Sequence, residues 1–117
     1  MDKTMNLQQI IDQLNLTVLT ENRELSNISP TGGYSSDLLS CVMAGARKGY
    51  LWITLQAHLN IVAVGALNEV AAIIITENAQ PDPATIIRAN EQGIILLSTP
   101  RTTYEINGQL WELGVEN

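Results

Sequence analysis

The side chains in this chain best suited to holding a small molecule are hydroxyls, amides and one imidazole, set near the ends of apolar runs. Tyr50-Leu51-Trp52-Ile53 closes on Thr54, Val70 to Ile75 closes on Thr76, and Ile94 to Leu97 closes on Ser98. Both intervals are 22 residues. Gln56, His58 and Asn60 follow the first run closely, and Glu77, Asn78 and Thr99 follow the others. Hydroxyl and amide donors suit the oxygens of an anion. An imidazole could serve as a general base if an acid such as Asp37 or Glu77 oriented it. The simpler expectation is that the hydroxyls cap helices and that His58 bonds backbone at a helix start. Thr31-Gly32-Gly33-Tyr34-Ser35-Ser36-Asp37 reads as a glycine loop entering a helix, where free backbone N–H groups can hold an anion. It is neither G-x-x-x-x-G-K-[ST] nor G-x-G-x-x-G, so the usual phosphoryl-transfer cradle is not expected. Cys41 reads as a buried helical residue, and one Cys with one His cannot make a His/Cys metal site. No catalytic residue, metal or cofactor is therefore expected. The candidate ligand set is Thr31, Gly32, Gly33, Asp37, Thr54, Gln56, His58, Asn60, Thr76 and Ser98.

These residues need a frame. Each apolar run is short and apolar throughout, as a strand covered on both faces must be. The segments between them read as helices. The expected fold is three-layer α/β/α, with a small, mostly parallel sheet of about four to five strands. Its carboxyl edge is where ligands usually sit in such sheets. Leu7, Ile10, Ile11 and Leu14 recur at helical spacing, with Thr4 or Asn6 as cap. Leu16 to Leu19 reads as a strand, and Leu25 to Ile28 as a second short one stopped by Pro30. Ser35 or Ser36 caps a helix that buries Leu38, Leu39, Val42, Met43 and Ala46. Asn60 caps a helix over 61–67 that is apolar nearly all round and so fully covered; its Ile and Val residues argue for a strand, but the 22-residue spacing favours the helix that a parallel crossover needs. Asp82-Pro83 and Thr99-Pro100 each give a cap with proline behind it. Residues 104–113 are either a last helix or, around Asn107-Gly108, a hairpin.

Composition narrows the classes. With 117 residues and 45% apolar content the chain is one domain with a real core. Only 15% of residues are charged and the net charge is −6, with six scattered basic residues. Nucleic-acid binding through phosphate neutralisation is disfavoured. A sparsely charged surface favours a face covered by another copy, hence a homodimer. No apolar stretch approaches the roughly 18 residues of a membrane span. Met1 to Asn15 is polar, unlike a signal peptide. The single cysteine suits a cytoplasmic location.

The run Thr31 to Ser40, the runs Trp52-Ile53-Thr54-Leu55-Gln56 and His58-Leu59-Asn60-Ile61-Val62, then Ala72-Ile73-Ile74-Ile75, Pro81, Ala89-Asn90-Glu91 and Leu110-Trp111-Glu112-Leu113-Gly114 resemble a stand-alone DRTGG domain. The resemblance covers nearly everything after residue 25. Of the naming pentapeptide Thr31-Gly32-Gly33 is kept, with Ser29 and Pro30 where Asp and Arg would stand. It implies a fold similar to the N-terminal domain of HPr kinase/phosphorylase and a regulatory, dimerising role. It does not imply kinase chemistry, which in that family belongs to a P-loop domain. Short members accompany iron-only hydrogenase and electron-transfer proteins, which implies a partner enzyme of that kind. The leading expectation is a non-catalytic regulatory or ligand-sensing domain for a small anionic metabolite or nucleotide. The alternatives are an interaction module for a partner enzyme, or a small enzyme using His58.

Overall fold

In the computed structural model, which describes residues 5–21 and 23–116, five strands form one sheet in the order β1-β5-β4-β3-β2. The strands are β1 (Thr17–Val18), β2 (Gly32–Ser35), β3 (Tyr50–Thr54), β4 (Ala72–Ile75) and β5 (Leu96–Ser98). β2 to β5 are parallel neighbours in chain order, and β1 lies antiparallel against β5. Successive parallel strands need crossover helices, and these are α2 (Leu39–Gly45), α3 (Asn60–Asn68) and α4 (Pro83–Gln92). All three pack on one face, over Trp52, Ile73, Ile75 and Leu96. The other face, with Leu51, Ile53, Ala72, Ile74 and Leu97, is covered by α1 (Leu7–Leu14) and α5 (Thr103–Glu112). The fold is the expected three-layer α/β/α with a five-stranded, mostly parallel sheet. Among the described residues no helix is long and apolar enough to cross a membrane.

Several helices begin and end where their residue types dictate. α1 buries Leu7, Ile10, Ile11 and Leu14, and Asn6 closes a capping box with Gln9. Thr4, the other cap considered, lies outside the described residues. Asp82 accepts the Thr85 N–H with Pro83 in the first turn, and Gly93 ends α4 at φ 72°.

Other expectations are corrected. Leu25–Asn27 is a 3-10 turn, not a strand. Thr31 to Asp37 is not a glycine loop, because Gly32–Ser35 pairs with Tyr50–Ile53 as edge strand β2. Gly32 is there for packing: a Cβ on it would stand 2.6 Å from the Tyr50 ring and 2.7 Å from the Glu116 carbonyl. α2 is capped by Leu38, not Ser35 or Ser36, and buries only Val42, with Ala46 just beyond its end. Leu38, Cys41 and Met43 are exposed. Asn60 opens α3 rather than capping it, and α3 is open on its outer side at Ala63 and Leu67. The last cap is Thr102, two residues beyond Pro100, and residues 104–112 are helix, not hairpin.

Candidate functional site

Parallel pairing brings the three hydroxyl strand ends to one edge. Thr54 stands opposite Ile75, and Ile75 opposite Ser98, so Thr54, Thr76 and Ser98 share the carboxyl edge of the sheet. Thr54 is fully buried, as is Thr76. The Thr54 hydroxyl donates to Asp37 Oδ1 at 2.8 Å and accepts the Gln56 N–H at 3.0 Å. Asp37 Oδ1 also accepts the Leu55 N–H, and the Asp37 carbonyl accepts from Gln56 Nε2. These bonds bring together Asp37, Thr54 and Gln56, three of the candidate residues. They also occupy the Thr54 hydroxyl, Asp37 Oδ1 and Gln56 Nε2, which a ligand would otherwise meet.

The bonding continues along the edge. Thr76 Oγ1 lies 2.6 Å from Thr103 Oγ1 and 3.4 Å from the Thr54 carbonyl. Glu77 accepts the Thr103 N–H at 2.7 Å. The backbone N–H groups of Glu77 and Asn78, both left-handed at φ 61° and 59°, donate to the Arg101 and Thr99 carbonyls. The loops after β4 and β5 leave toward opposite faces of the sheet, where a crevice would normally open. Here they are laced to each other.

His58 is exposed, and its Nδ1 accepts the Asn60 N–H at 3.2 Å. That is the backbone contact expected of a histidine at a helix start. Neither Asp37 nor Glu77 bonds it. The acid that feels its charge is Asp82, whose carboxyl is held below its usual value first by the Thr85 N–H and then by the Thr85 hydroxyl, against a lesser opposing effect of burial, with His58 adding a still smaller downward pull. Asn60 is exposed beside it. Among the described residues no three His, Cys, Asp or Glu are grouped to hold a metal ion.

Thr31, Gly32 and Gly33 lie elsewhere. Gly32 pairs with Tyr50 and Gly33 with Leu51, at the amino end of β3. With about 3.3 Å of rise per residue they stand some 10 Å along the sheet from the level of Thr54. The structure thus divides the candidate set into a carboxyl-edge group and a β2 group. Around the second lies a groove of about 390 Å³ lined by Met5, Ser29, Pro30, Thr31, Gly32 and the segment Gly114–Glu116. It adjoins a smaller hollow of about 160 Å³ between β2 and α5, where Trp111 and Asn107 form one wall and Val115 is shared. Sequence reading missed Met5 and Val115, because nothing local says that the two ends of the chain meet at Gly32. The Thr31 hydroxyl donates to the Lys48 carbonyl at 3.0 Å, which brings the exposed Arg47-Lys48 turn to this end of the sheet.

The family model described as DRTGG domain matches residues 37–112, so Thr31 to Gly33 lie just outside the matched span. A solved structure of the CBS and DRTGG domains of the regulatory region of Clostridium perfringens pyrophosphatase, complexed with its activator diadenosine tetraphosphate, superposes with a TM-score of 0.76 over 98% of this chain at 17% identity. At that identity the likeness is one of fold. This chain spans about half (51%) of that one. No curated protein matches.

Proposed function

This chain belongs to the DRTGG domain family, and from that membership and the groove beside Thr31–Gly33 we propose that it is a non-catalytic regulatory module that senses a small anionic metabolite or nucleotide and works as a homodimer. The groove is the observation that carries the reading. It combines apolar walls at Met5, Pro30 and Val115 with the Ser29 hydroxyl and the oxygen of Thr31, whose hydrogen goes to the Lys48 carbonyl, and Glu116 is the one acid among the described residues lining it, a mixture suited to a base and ribose. Arg47 and Lys48, two of the chain's six basic residues, stand at the same end of the sheet, where phosphates would be attracted. The carboxyl edge suits an anion less well. Asp37, Glu77 and Asp82 make it acidic, and the Thr54 and Thr76 hydroxyls already have partners. The fold neighbour's regulatory region holds a nucleotide activator, which makes nucleotides the first ligands to try.

The test is calorimetric titration of the chain with AMP, ATP and diadenosine tetraphosphate. Saturable binding weakened at least tenfold by Thr31→Trp, which fills the groove, and unchanged by His58→Ala with Asn60→Ala, supports this site. Loss of binding in the His58/Asn60 double variant alone moves the site to the carboxyl edge. No binding by any of the three removes the nucleotide reading. The exposed apolar side of α2 and α3 would then favour an interaction module for a partner enzyme.

A further inference from the structure

α3 has the composition of an interior helix and lacks a covering on one side. Its nine residues, Asn60–Asn68, include no charge and are apolar nearly all round. Such helices are normally buried on every side. Ile61, Val62, Val64 and Gly65 are buried here against the sheet and its neighbours. Leu59, Ala63 and Leu67 are not: Leu67 is 70% exposed and Leu59 37%. These three stand at i, i+4 and i+8, one stripe along the outer face. Between α3 and α4 runs a groove of about 390 Å³ lined by Leu59, Ala63, Ala66, Arg88 and Gln92.

We infer that this outer face is where two copies of the chain pair, α3 against α3 and antiparallel about a two-fold axis near Ala63. The inference rests on the homodimer reading above and names its interface. The stripe is self-complementary. Leu59 and Leu67 are each four residues from Ala63, so an antiparallel crossing there sets Leu67 of each copy over Leu59 and into the α3–α4 groove of the other. A C2 contact needs one patch that fits itself, and Ala63 lets the two backbones come close.

Charge selects the same face. Each copy carries −6, so like faces repel wherever the acids sit. They sit on α1 (Asp12), α4 (Glu91), α5 (Glu105, Glu112) and the turns. Within their spans α2 and α3 have none, Glu69 following at the end of α3, and the exposed Met43 of α2, whose carbonyl accepts from Asn68 of α3, extends the apolar surface. A stable pair needs about 800 Å² from each partner, about one-eighth of the 6323 Å² surface, within reach of a face built from three adjacent helices.

Light scattering on the full chain after size exclusion tests this. The wild type is expected at twice 12.8 kDa. Leu67→Glu and Ala63→Glu, each with unchanged circular dichroism, are expected at the mass of one chain. Leu67 touches little within its own chain, so its replacement leaves the fold intact even if Ala63→Glu does not. Trp111→Glu, on the opposite face, is expected to remain a dimer. A monomeric wild type overturns both the interface and the homodimer reading. A dimer that survives both α3 glutamates, or that only Trp111→Glu dissociates, overturns the interface alone. Nucleotide titration of the Leu67→Glu monomer reports separately on ligand sensing.

Discussion

Thr54 ties together more of the carboxyl edge than its neighbours do, because its hydroxyl satisfies Asp37 and the Gln56 N–H from a position with no solvent exposure. Thr54→Val keeps the shape and removes the hydroxyl. The donor left without its partner is the part-buried Gln56 N–H, so urea unfolding should show a loss at the lower end of the roughly 1–3 kcal/mol that an orphaned buried group costs. A loss within error would mean that Asp37 and Gln56 find other partners. Asp82 gives a prediction in pH. The Thr85 N–H and hydroxyl, then the charge of His58, hold its carboxyl below the ordinary 3.8. A carboxylate held down in the folded chain stabilises it above the unfolded value, and that stability is lost as pH falls through the folded one. Asp82→Ala should therefore lower the melting temperature most near neutral pH, and the gap should narrow as pH drops below 3.8. A gap constant across that range would show that the charge contributes nothing. Thr54, Thr76 and Ser98 were legible as strand ends because apolar runs stop at them. Their partners were not, since Asp37 and Thr103 arrive through the fold from 17 and 27 residues away.

Gly65 shows how an element can follow its sequence for a tertiary reason. Glycine inside a helix costs about 1 kcal/mol relative to alanine. Here a Cβ would lie 3.0 Å from Ile73 Cδ1 and 3.4 Å from Val70 Cγ2, against the fully buried strand β4. Overfilling such a contact costs about 1–3 kcal/mol, so Gly65→Ala should destabilise despite its better helix propensity. In Ile73→Val the obstructing methyl is gone, and the same alanine should then stabilise relative to Ile73→Val alone. A double-mutant cycle by denaturant unfolding reads this coupling, and simple additivity would mean that Ile73 does not set the constraint. The strands β3, β4 and β5 could be read from sequence because both their faces are buried and their runs are unbroken. β2 could not. Gly32 and Gly33 give no hydrophobic pattern, and strand propensity is low for glycine. What makes it a strand is the Tyr50–Ile53 ladder beside it. For the same reason the glycine loop and its helix-terminus anion cradle dissolved into a sheet edge, and the candidate site moved from a helix start to a groove.

For the whole molecule, short helices between successive parallel runs made the chain-order winding of β2 to β5 accessible, since such connections keep sequential strands adjacent. The placing of α1 and α5 together on the second face was not accessible, because it depends on where the two ends of the chain meet. The composition of α3 predicts full cover, and the chain covers only one side of it. If a second copy supplies the rest, stability must depend on concentration, because a partner that binds only the folded state raises its apparent stability by mass action. The melting temperature of the wild type should rise with protein concentration, while that of Leu67→Glu should stay fixed. Salt supplies an independent sign. α2 and α3 bring no charged residue to the proposed face, and Arg88 at its α4 edge already pairs with Glu91 of its own helix, so adding salt breaks no pair between copies there. It does screen the repulsion between two chains of charge −6, over a Debye length of about 10 Å at 0.1 M and about 3 Å at 1 M. Dimerisation should therefore tighten as salt rises across that range, as read by sedimentation equilibrium. Weakening with salt would mean that the contact is made by opposite charges, which α3 does not carry, and that a different face joins the copies.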